Sequence, residues 1–172
     1  MRQETTTRTL YKYDELPTEQ AKEKAREWYA QGMVSYDWWE CIYDDAETVG
    51  LKIKSFDEYT LEAKFIESAE VTADKIIKNH GESCETYSDA TKYLADRETI
   101  VTNAPRTEDG DLENEWELDD NLDNLDGAFL ETLQEDYRIM LRKEIEFMES
   151  TEQIEENIRG NEYEFTEGGK RA

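Results

Sequence analysis

The sequence predicts an α+β fold, with five or six helices packed on a small antiparallel sheet in a single domain, residues 1–172. Two kinds of periodicity indicate this class. Several segments place apolar residues at helical spacing, and a few short segments alternate between apolar and polar residues. The aromatic content, four Trp, ten Tyr and five Phe in 172 residues, is sufficient for a folded core and is atypical of a disordered acidic chain.

The N-terminal part predicts an edge strand followed by two helices. Residues 5–13 are rich in Thr and alternate weakly, which suits a short strand. Pro17 suits the first turn of a helix that Gly32 is expected to end. A second helix is expected over residues 37–49, before Gly50. Its apolar face is formed by Trp38, Trp39, Ile42, Tyr43, Ala46 and Val49.

A hairpin and a third helix follow. Residues 51–54 and 61–65 alternate between apolar and Lys or Glu side chains, and the polar residues 57–60 between them indicate a turn. Ser68 is expected to cap the third helix. Gly81 is expected to end it, because glycine tolerates the left-handed conformation common at helix C-termini.

The second half predicts helices around an acidic loop. A helix is expected over residues 87–101, with Tyr87, Ala90, Leu94 and Val101 on its inward face. Residues 106–123 show no regular period and are interpreted as a loop. A long helix is expected over 127–149, a shorter one over 150–160 and a strand over 162–166. The inward positions predict one shared core: Trp28, Trp38, Ile42, Tyr43, Phe65, Ile76, Leu94, Leu133, Tyr137, Leu141 and Ile145.

Acidic residues dominate the charge. The chain has 44 Asp and Glu against 20 Lys and Arg, a formal net charge of −24. Residues 108–167 hold 22 of the acids and four of the bases, a net −18. Such a surface repels nucleic acid and anionic membranes and attracts proteins that bind polyanions. No apolar run approaches the roughly 20 residues that a membrane span needs. We therefore expect neither direct nucleic-acid binding nor membrane insertion.

The sequence offers little for catalysis. His80, the only histidine, stands at an expected helix end, where its charge would favour the helix dipole. Phosphate-binding loops, nucleophile elbows and zinc-protease motifs are all missing from the sequence. Cys41 and Cys84 are too few for a disulfide framework or a four-cysteine zinc site. We expect no catalytic residue, no cofactor and no enzyme activity.

Calcium binding is the one metal hypothesis that the acidic segment raises. Asp109, Asp111 and Glu113 resemble the first ligands of an EF-hand loop. The required turn glycine is replaced by Asn114, and the twelfth position is Asp120 instead of a bidentate glutamate. We therefore expect no dedicated metal site.

The spacing of the acids suggests mimicry of nucleic acid. Alternate acids of an extended loop would lie on one side about 6–7 Å apart, near the ~7 Å spacing of phosphates along one DNA strand. Duplex DNA carries one charge per ~1.7 Å of its axis, and a helix rises about 1.5 Å per residue. Acids at i, i+3 and i+4 would form similar rows on helices. The alternative is that the charge serves only solubility or adaptation to high salt. The candidate partner-binding residues are Asp109, Asp111, Glu113, Glu115, Glu117, Asp119, Asp120, Glu131, Glu135, Glu149, Glu152 and Glu156.

Four stretches together resemble a known family: YDELPTEQAKEKAREWY, YDWWECIYDDA, FIESAEVTADKIIKNHGESCETY and EDYRIMLRKEIEFMES with NEYEF. The chain is similar to small, antitoxin-like proteins encoded by bacteriophages, prophages and plasmids. The resemblance extends from about Tyr13 to Phe165, and its most specific part is the pair of tryptophans. The acidic residues between positions 108 and 120 lie outside the shared pattern. The resemblance implies a mobile-element origin and a bacterial cytoplasm, and it supplies no catalytic or binding residues.

Charge and resemblance together predict a function. We expect a phage-encoded, acidic inhibitor that mimics nucleic acid and blocks the DNA-binding channel of a host defence protein, either a CRISPR effector or a restriction enzyme. Its partner would be a basic, nucleic-acid-binding host protein. The alternative is an antitoxin-like or regulatory protein that binds its partner through an aromatic surface around Trp38 and Trp39. The sequence leaves the oligomeric state open.

Overall fold

A computed structural model describes residues 8–33, 38–57 and 59–172 and confirms the α+β class. The described part contains six helices and four strands. In chain order they are β1 (Tyr11–Lys12), α1 (Glu19–Met33), α2 (Glu40–Thr48), β2 (Leu51–Phe56), β3 (Leu61–Phe65), α3 (Ala69–Asn79), α4 (Glu85–Asn103), α5 (Glu115–Met148), α6 (Thr151–Gly160) and β4 (Glu164–Phe165). The strands form two antiparallel pairs, β1 with β4 and β2 with β3, instead of one sheet.

The chain divides into two compact units. Unit 1 comprises Met1–Trp38 with Lys143–Ala172, and unit 2 comprises Trp39–Arg142. The expectation of one domain stays a prediction. Residues 5–7 of the expected edge strand and Asp37 of the expected second helix lie outside the described residues. Within the described ranges, each helix is too short or too polar to cross a membrane.

Unit 1 is built on α1 and α6. The Thr18 hydroxyl oxygen accepts a hydrogen bond from the Ala21 N–H at 3.1 Å, which stabilises the start of α1. The Ser150 hydroxyl oxygen does the same for α6, accepting from the Gln153 N–H at 3.3 Å as the capping pattern predicts. Gly32, the expected end of α1, lies within its last turn. The buried core consists of Tyr13, Leu16, Ala21, Ala25, Ile154, Ile158 and Phe165.

A charged network joins three parts of unit 1. The Arg26 guanidinium donates to the Tyr13 hydroxyl at 2.9 Å and to the Glu155 carboxylate at 2.8 Å. The Tyr13 hydroxyl itself donates to Glu155 at 2.8 Å. Burial and the hydrogen bond to Glu155 raise the pKa of Tyr13 to about 12. These contacts connect α1, α6 and the 3-10 turn Tyr13–Glu15 through charge-assisted hydrogen bonds, which are the stronger kind.

Unit 2 is built on the hairpin β2–β3 and on α2 to α5. One carboxylate oxygen of Asp57 accepts from the Tyr59 and Thr60 N–H groups, both at 2.8 Å, so the predicted turn is confirmed. Gly50, between α2 and β2, has φ +94°, and its carbonyl accepts from the Ile66 N–H at 2.8 Å. A left-handed conformation at this position favours glycine.

The capping of α3 is predicted correctly at its start but not at its end. The Ser68 hydroxyl oxygen accepts from the Val71 N–H at 3.2 Å. His80 is the C-cap residue, and its backbone is extended (φ −94°, ψ 151°). Gly81 does not adopt the left-handed conformation expected for it. The helix therefore ends at an extended residue, His80, and not at a left-handed glycine.

The register of α4 differs from the expectation. Its buried residues are Thr86, Ala90 and Tyr93, whereas Val101 is 38% exposed. The reason is aromatic packing, because the Tyr93 ring stacks on the ring of Phe129 with centroids 4.4 Å apart. An apolar face defined by Val101 is therefore wrong.

The long helix α5 begins at Glu115, twelve positions before the expected residue 127. The Asn114 carboxamide oxygen accepts from the Glu117 N–H at 3.2 Å and caps the helix. Leu118, Leu122 and Leu125 are half-buried and continue the apolar face to Phe129 at helical spacing. The expected acidic loop 106–123 is therefore wrong over residues 115–123.

The expected shared core divides between the units. Trp28, Trp38 and Ile145 belong to unit 1, and the other eight expected core residues belong to unit 2. Of these eight, Ile76, Leu133, Tyr137 and Leu141 are buried, and the remaining four are half-buried.

We predict that Gly169→Ala destabilises the protein. Gly169 has φ +80°, and a Cβ there would clash with the backbone carbonyl group of Ala21, so backbone strain and a steric clash combine. We expect a loss of about 2–4 kcal/mol in the free energy of unfolding, measured by urea denaturation. The matched control is Gly168→Ala, where a Cβ meets no atom within 4 Å. Equal effects of the two substitutions would show that neither the strain nor the clash at Gly169 matters for stability.

Candidate partner-binding surface

All twelve candidate acidic residues are exposed. Unit 2 contains nine of them, from Asp109 to Glu135, and unit 1 contains Glu149, Glu152 and Glu156. Their accessibility agrees with a role in partner binding, but their backbone geometry differs from the expected spacing in several places.

The first three acids lie on a closed turn and not on an extended chain. The Thr107 N–H donates to the Asp111 carbonyl at 2.8 Å, and the Glu113 N–H donates to the Pro105 carbonyl at 2.9 Å. Gly110 at the tip has φ +91°. Backbone hydrogen bonds thus hold the turn that carries Asp109, Asp111 and Glu113. The described residues contain no group of three or more His, Cys, Asp or Glu side chains that could hold a metal ion.

The next four acids belong to the first turns of α5. Glu115 and Glu117 are two residues apart, which in an α-helix places them about 200° apart around the axis. The expected extended row is therefore wrong here. Instead, Glu115 and Asp119 share one side of the helix at i, i+4, about 6 Å apart along its axis. Asp123, four residues further on, is also exposed and continues this row.

Glu131 and Glu135 form the expected i, i+4 pair on α5, but Glu135 is already paired. Its two carboxylate oxygens accept from the Arg138 guanidinium at 2.7 and 2.6 Å. This hydrogen bonding lowers the pKa of Glu135. The pairing weakens the field that Glu135 can contribute to a partner.

The expected row in unit 1 is broken by a helix boundary. Glu149 follows the last residue of α5, whereas Glu152 and Glu156 are four residues apart on α6. The three acids therefore do not share one helix face, although Glu152 and Glu156 do.

One continuous segment stands out, and we call residues 108–123 the acidic segment. It has nine Asp and Glu residues, all exposed, and no Lys or Arg. Trp116 lies in its middle and is 74% exposed. The acids near the start of α5 stabilise the helix by favouring its dipole. They also create a strong negative potential that no basic residue of the segment offsets.

A buried polar cluster surrounds His80 and was not predicted. The His80 side chain is only 9% exposed, and its Nε2 lies 3.4 Å from Asp45 Oδ1 without a directed hydrogen bond. Its Nδ1 is 2.7 Å from the Thr86 hydroxyl. The Tyr137 hydroxyl donates to Asp45 at 2.8 Å, and burial raises the pKa of Tyr137 well above its usual range. His80 therefore lies at the helix end, as expected, and its side chain is largely buried there.

Two carboxyl groups share a hydrogen bond in unit 2. Burial, together with the charge and hydrogen bond of Asp89, raises the pKa of Asp136 to about 7. Oδ2 of Asp136 is buried and has no hydrogen-bond partner among the described residues. The sequence gives little indication of this pair, because acidic residues are so frequent in the chain that close pairs arise by chance.

We predict that unit 2 loses stability as the pH rises through 7. Asp136 has a higher pKa in the folded than in the unfolded state, so its contribution is complete below pH ~4 and is lost as the folded carboxyl ionises near pH 7. Asp136→Asn should raise the free energy of unfolding at pH 8 by about 1–2 kcal/mol after allowance for solvent screening, and have little effect at about pH 4, because the wild-type stability falls progressively between these values. Denaturant unfolding at the two pH values measures this.

The matched control for this prediction is Asp74→Asn, at an exposed position of α3. It should change stability equally little at both pH values. An Asp136→Asn effect that is the same at about pH 4 and pH 8 would contradict a raised pKa of Asp136 in the folded protein.

Comparison of the chain with protein-family models, curated proteins and solved structures found no match. The resemblance to antitoxin-like proteins of mobile elements therefore stays a prediction.

Proposed function

We propose that this protein is a phage-encoded, acidic inhibitor that mimics nucleic acid. It binds a basic, nucleic-acid-binding host defence protein, a CRISPR effector or a restriction enzyme, in the bacterial cytoplasm. Its carboxylates occupy the Lys- and Arg-lined channel of that protein and exclude DNA by competition. No catalytic step, cofactor or metal is needed for this activity.

The observation that carries the proposal is the acidic segment. Its nine acids are exposed, and part of the segment is a capped helix, so the charges are held on an ordered backbone. A fixed charge array loses less conformational entropy on binding than a disordered tail. Trp116 adds an exposed aromatic face, which can stack on an arginine of the same channel.

The alternative of an antitoxin-like partner with an aromatic surface has less support. Trp38 and Trp39 are both half-buried and expose little of the surface that such binding would need. A role in solubility alone is the other competitor, since net charge by itself keeps proteins soluble. Nucleic-acid mimicry requires the acids at particular positions, whereas solubility depends only on their number. An experiment that changes position at constant net charge therefore distinguishes the two.

We predict that local charge reversal abolishes inhibition. Glu113→Lys, Glu115→Lys, Asp119→Lys and Asp120→Lys together should eliminate protection of phage DNA in bacteria that carry the defence system. The control reverses four exposed acids elsewhere in unit 2: Glu47, Glu62, Asp74 and Glu98. Both variants change the net charge equally, so a specific surface predicts loss only in the first. The control positions should shift stability by under about 0.5 kcal/mol each, and the reversals near the start of α5 by about 0.3–1 kcal/mol each through the helix dipole, so circular dichroism must show that both variants are folded.

Binding of the purified protein to its target should also respond to salt and DNA. We expect roughly a tenfold or greater loss of affinity as salt rises from about 50 to 200 mM, with the association rate affected first. Duplex DNA should compete for the same site. An affinity indifferent to salt, to DNA and to the first set of reversals would reject nucleic-acid mimicry.

We predict that His80→Gln retains inhibition. The substitution removes the only histidine and should cost about 1–3 kcal/mol of stability, because its buried polar partners lose a matched side chain. Inhibition should persist at a temperature where circular dichroism shows that the variant is folded. Loss of inhibition by the folded variant would instead favour an enzyme mechanism that uses this residue.

A further inference from the structure

Unit 1 contains an open aromatic cavity of about 700 Å³. It lies among the C-terminal turns of α1, the ends of α5 and α6 and the residues before β4. Its aromatic walls are Trp28, Tyr29 and Tyr163, and its amide groups come from Gln31, Asn157 and Asn161. The described residues that line it carry no formal charge, although 37% of the chain is charged.

The three rings form one contiguous cluster. The centroids of Trp28 and Tyr163 are 5.1 Å apart with the rings at 84°, and Tyr29 lies 6.2 Å from Tyr163. The Trp28 ring also contacts the buried Phe165 edge to face, at 5.8 Å. Packing against the core therefore holds the rings in place, as a preformed binding site requires.

A cation already lies on these rings. The guanidinium carbon of Arg171 is 4.7 Å from the centroid of Tyr163 and 5.6 Å from that of Trp28. Both distances fall within the range of cation–π attraction. Arg171 does not line the cavity, so its side chain covers these rings without filling the open space. The same rings thus attract a guanidinium group within the chain itself.

The amide groups and surrounding charges also favour a cation. Asn161 uses its NH2 group to donate to the Asn157 carbonyl at 2.8 Å, and its carboxamide oxygen has no hydrogen-bond partner among the described residues. An oxygen of this kind accepts from a guanidinium or ammonium group. The exposed Glu149 and Glu156 adjoin the lining residues Met148 and Asn157 in the sequence.

We propose that this cavity binds the side chain of an arginine presented by the basic partner protein. The identity of the partner rests on the proposed function, whereas the binding chemistry rests on the cavity alone. The acids would attract the partner at long range, and the cavity would hold one guanidinium at short range through π faces and amide oxygens.

The test uses N-acetyl-arginine amide as the probe and the uncharged citrulline analogue as its matched control. Binding is followed by the NMR signal of the Trp28 indole N–H, assigned with Trp28→Phe. We expect a saturable shift with arginine and at least tenfold weaker binding of the citrulline analogue. Equal binding of the two, binding of a nucleoside in preference to arginine, or no shift of this signal would overturn the proposal.

Variants of the rings test the location. Tyr163→Leu should weaken arginine binding at least tenfold, whereas Tyr163→Phe, which keeps the π face, should change it less than twofold. Arg171→Gln should strengthen binding a few-fold, because it removes a like charge from the shared rings. An effect of Tyr163→Phe as large as that of Tyr163→Leu, or weaker binding by Arg171→Gln, would contradict the use of these faces.

The two proposals fail separately. Charge reversal at Glu113, Glu115, Asp119 and Asp120 should leave binding of the arginine probe unchanged, since none of these acids lines the cavity. If the probe fails to bind while inhibition and its salt dependence persist, only the cavity proposal is wrong. If the probe binds but charge reversal leaves inhibition intact, only nucleic-acid mimicry is wrong.

Discussion

Electrostatic repulsion among 44 acidic residues is the constraint under which this chain folds. Several of the basic residues offset it where separate elements meet. Arg26 connects Glu19 and Glu155, Arg159 connects Asp14 and Glu155, and Arg97 connects α4 to Glu70 on α3. Exposed ion pairs contribute little net stability by themselves. Here their position matters more, because each neutralises a carboxylate that would otherwise repel its neighbours across an element boundary.

The acidic segment is the exception to this arrangement. It has no basic residue of its own, and its charge is tolerated because a cap and a leucine stripe form the helix on which part of it lies. On α5 the apolar side packs and stabilises the helix, whereas the remaining sides carry the carboxylates that create the negative electrostatic potential. An array that is ordered and uncompensated is what a polyanion mimic requires, whereas solubility requires only the net charge.

Unit 2 also brings polar groups together, some of them partly buried, that a purely apolar core would avoid. His80, Asp45 and Tyr137 connect the end of α3 to α2 and α5, and the Asp89–Asp136 pair connects α4 to α5. A carboxyl pair of this kind is most stable while it shares a proton, because two ionised carboxylates would repel each other. The fold therefore responds to pH through a partly buried pair that is separate from the exposed acids of the acidic segment.

The sequence by itself determined the helices and the hairpin. Apolar periodicity placed α1, α3 and β2–β3, and Ser68 and Ser150 predicted the caps of α3 and α6, because periodicity and capping act over a few neighbouring residues. It also identified which acids would be exposed. The start of α5 was missed because acidic residues obscured the leucine spacing from Leu118 to Phe129.

Only the tertiary structure decided which side chains meet. The face of α4 is set by the stacking of Tyr93 on Phe129, a contact between residues distant in the chain. The polar cluster of His80 and the aromatic cavity of Trp28 and Tyr163 likewise join residues from separate segments. Local patterns report the conformation of a segment, whereas burial, pKa shifts and binding cavities arise from long-range packing. For that reason the sequence predicted the exposed acidic residues, whereas only the structure showed the polar cluster of His80 and the aromatic cavity.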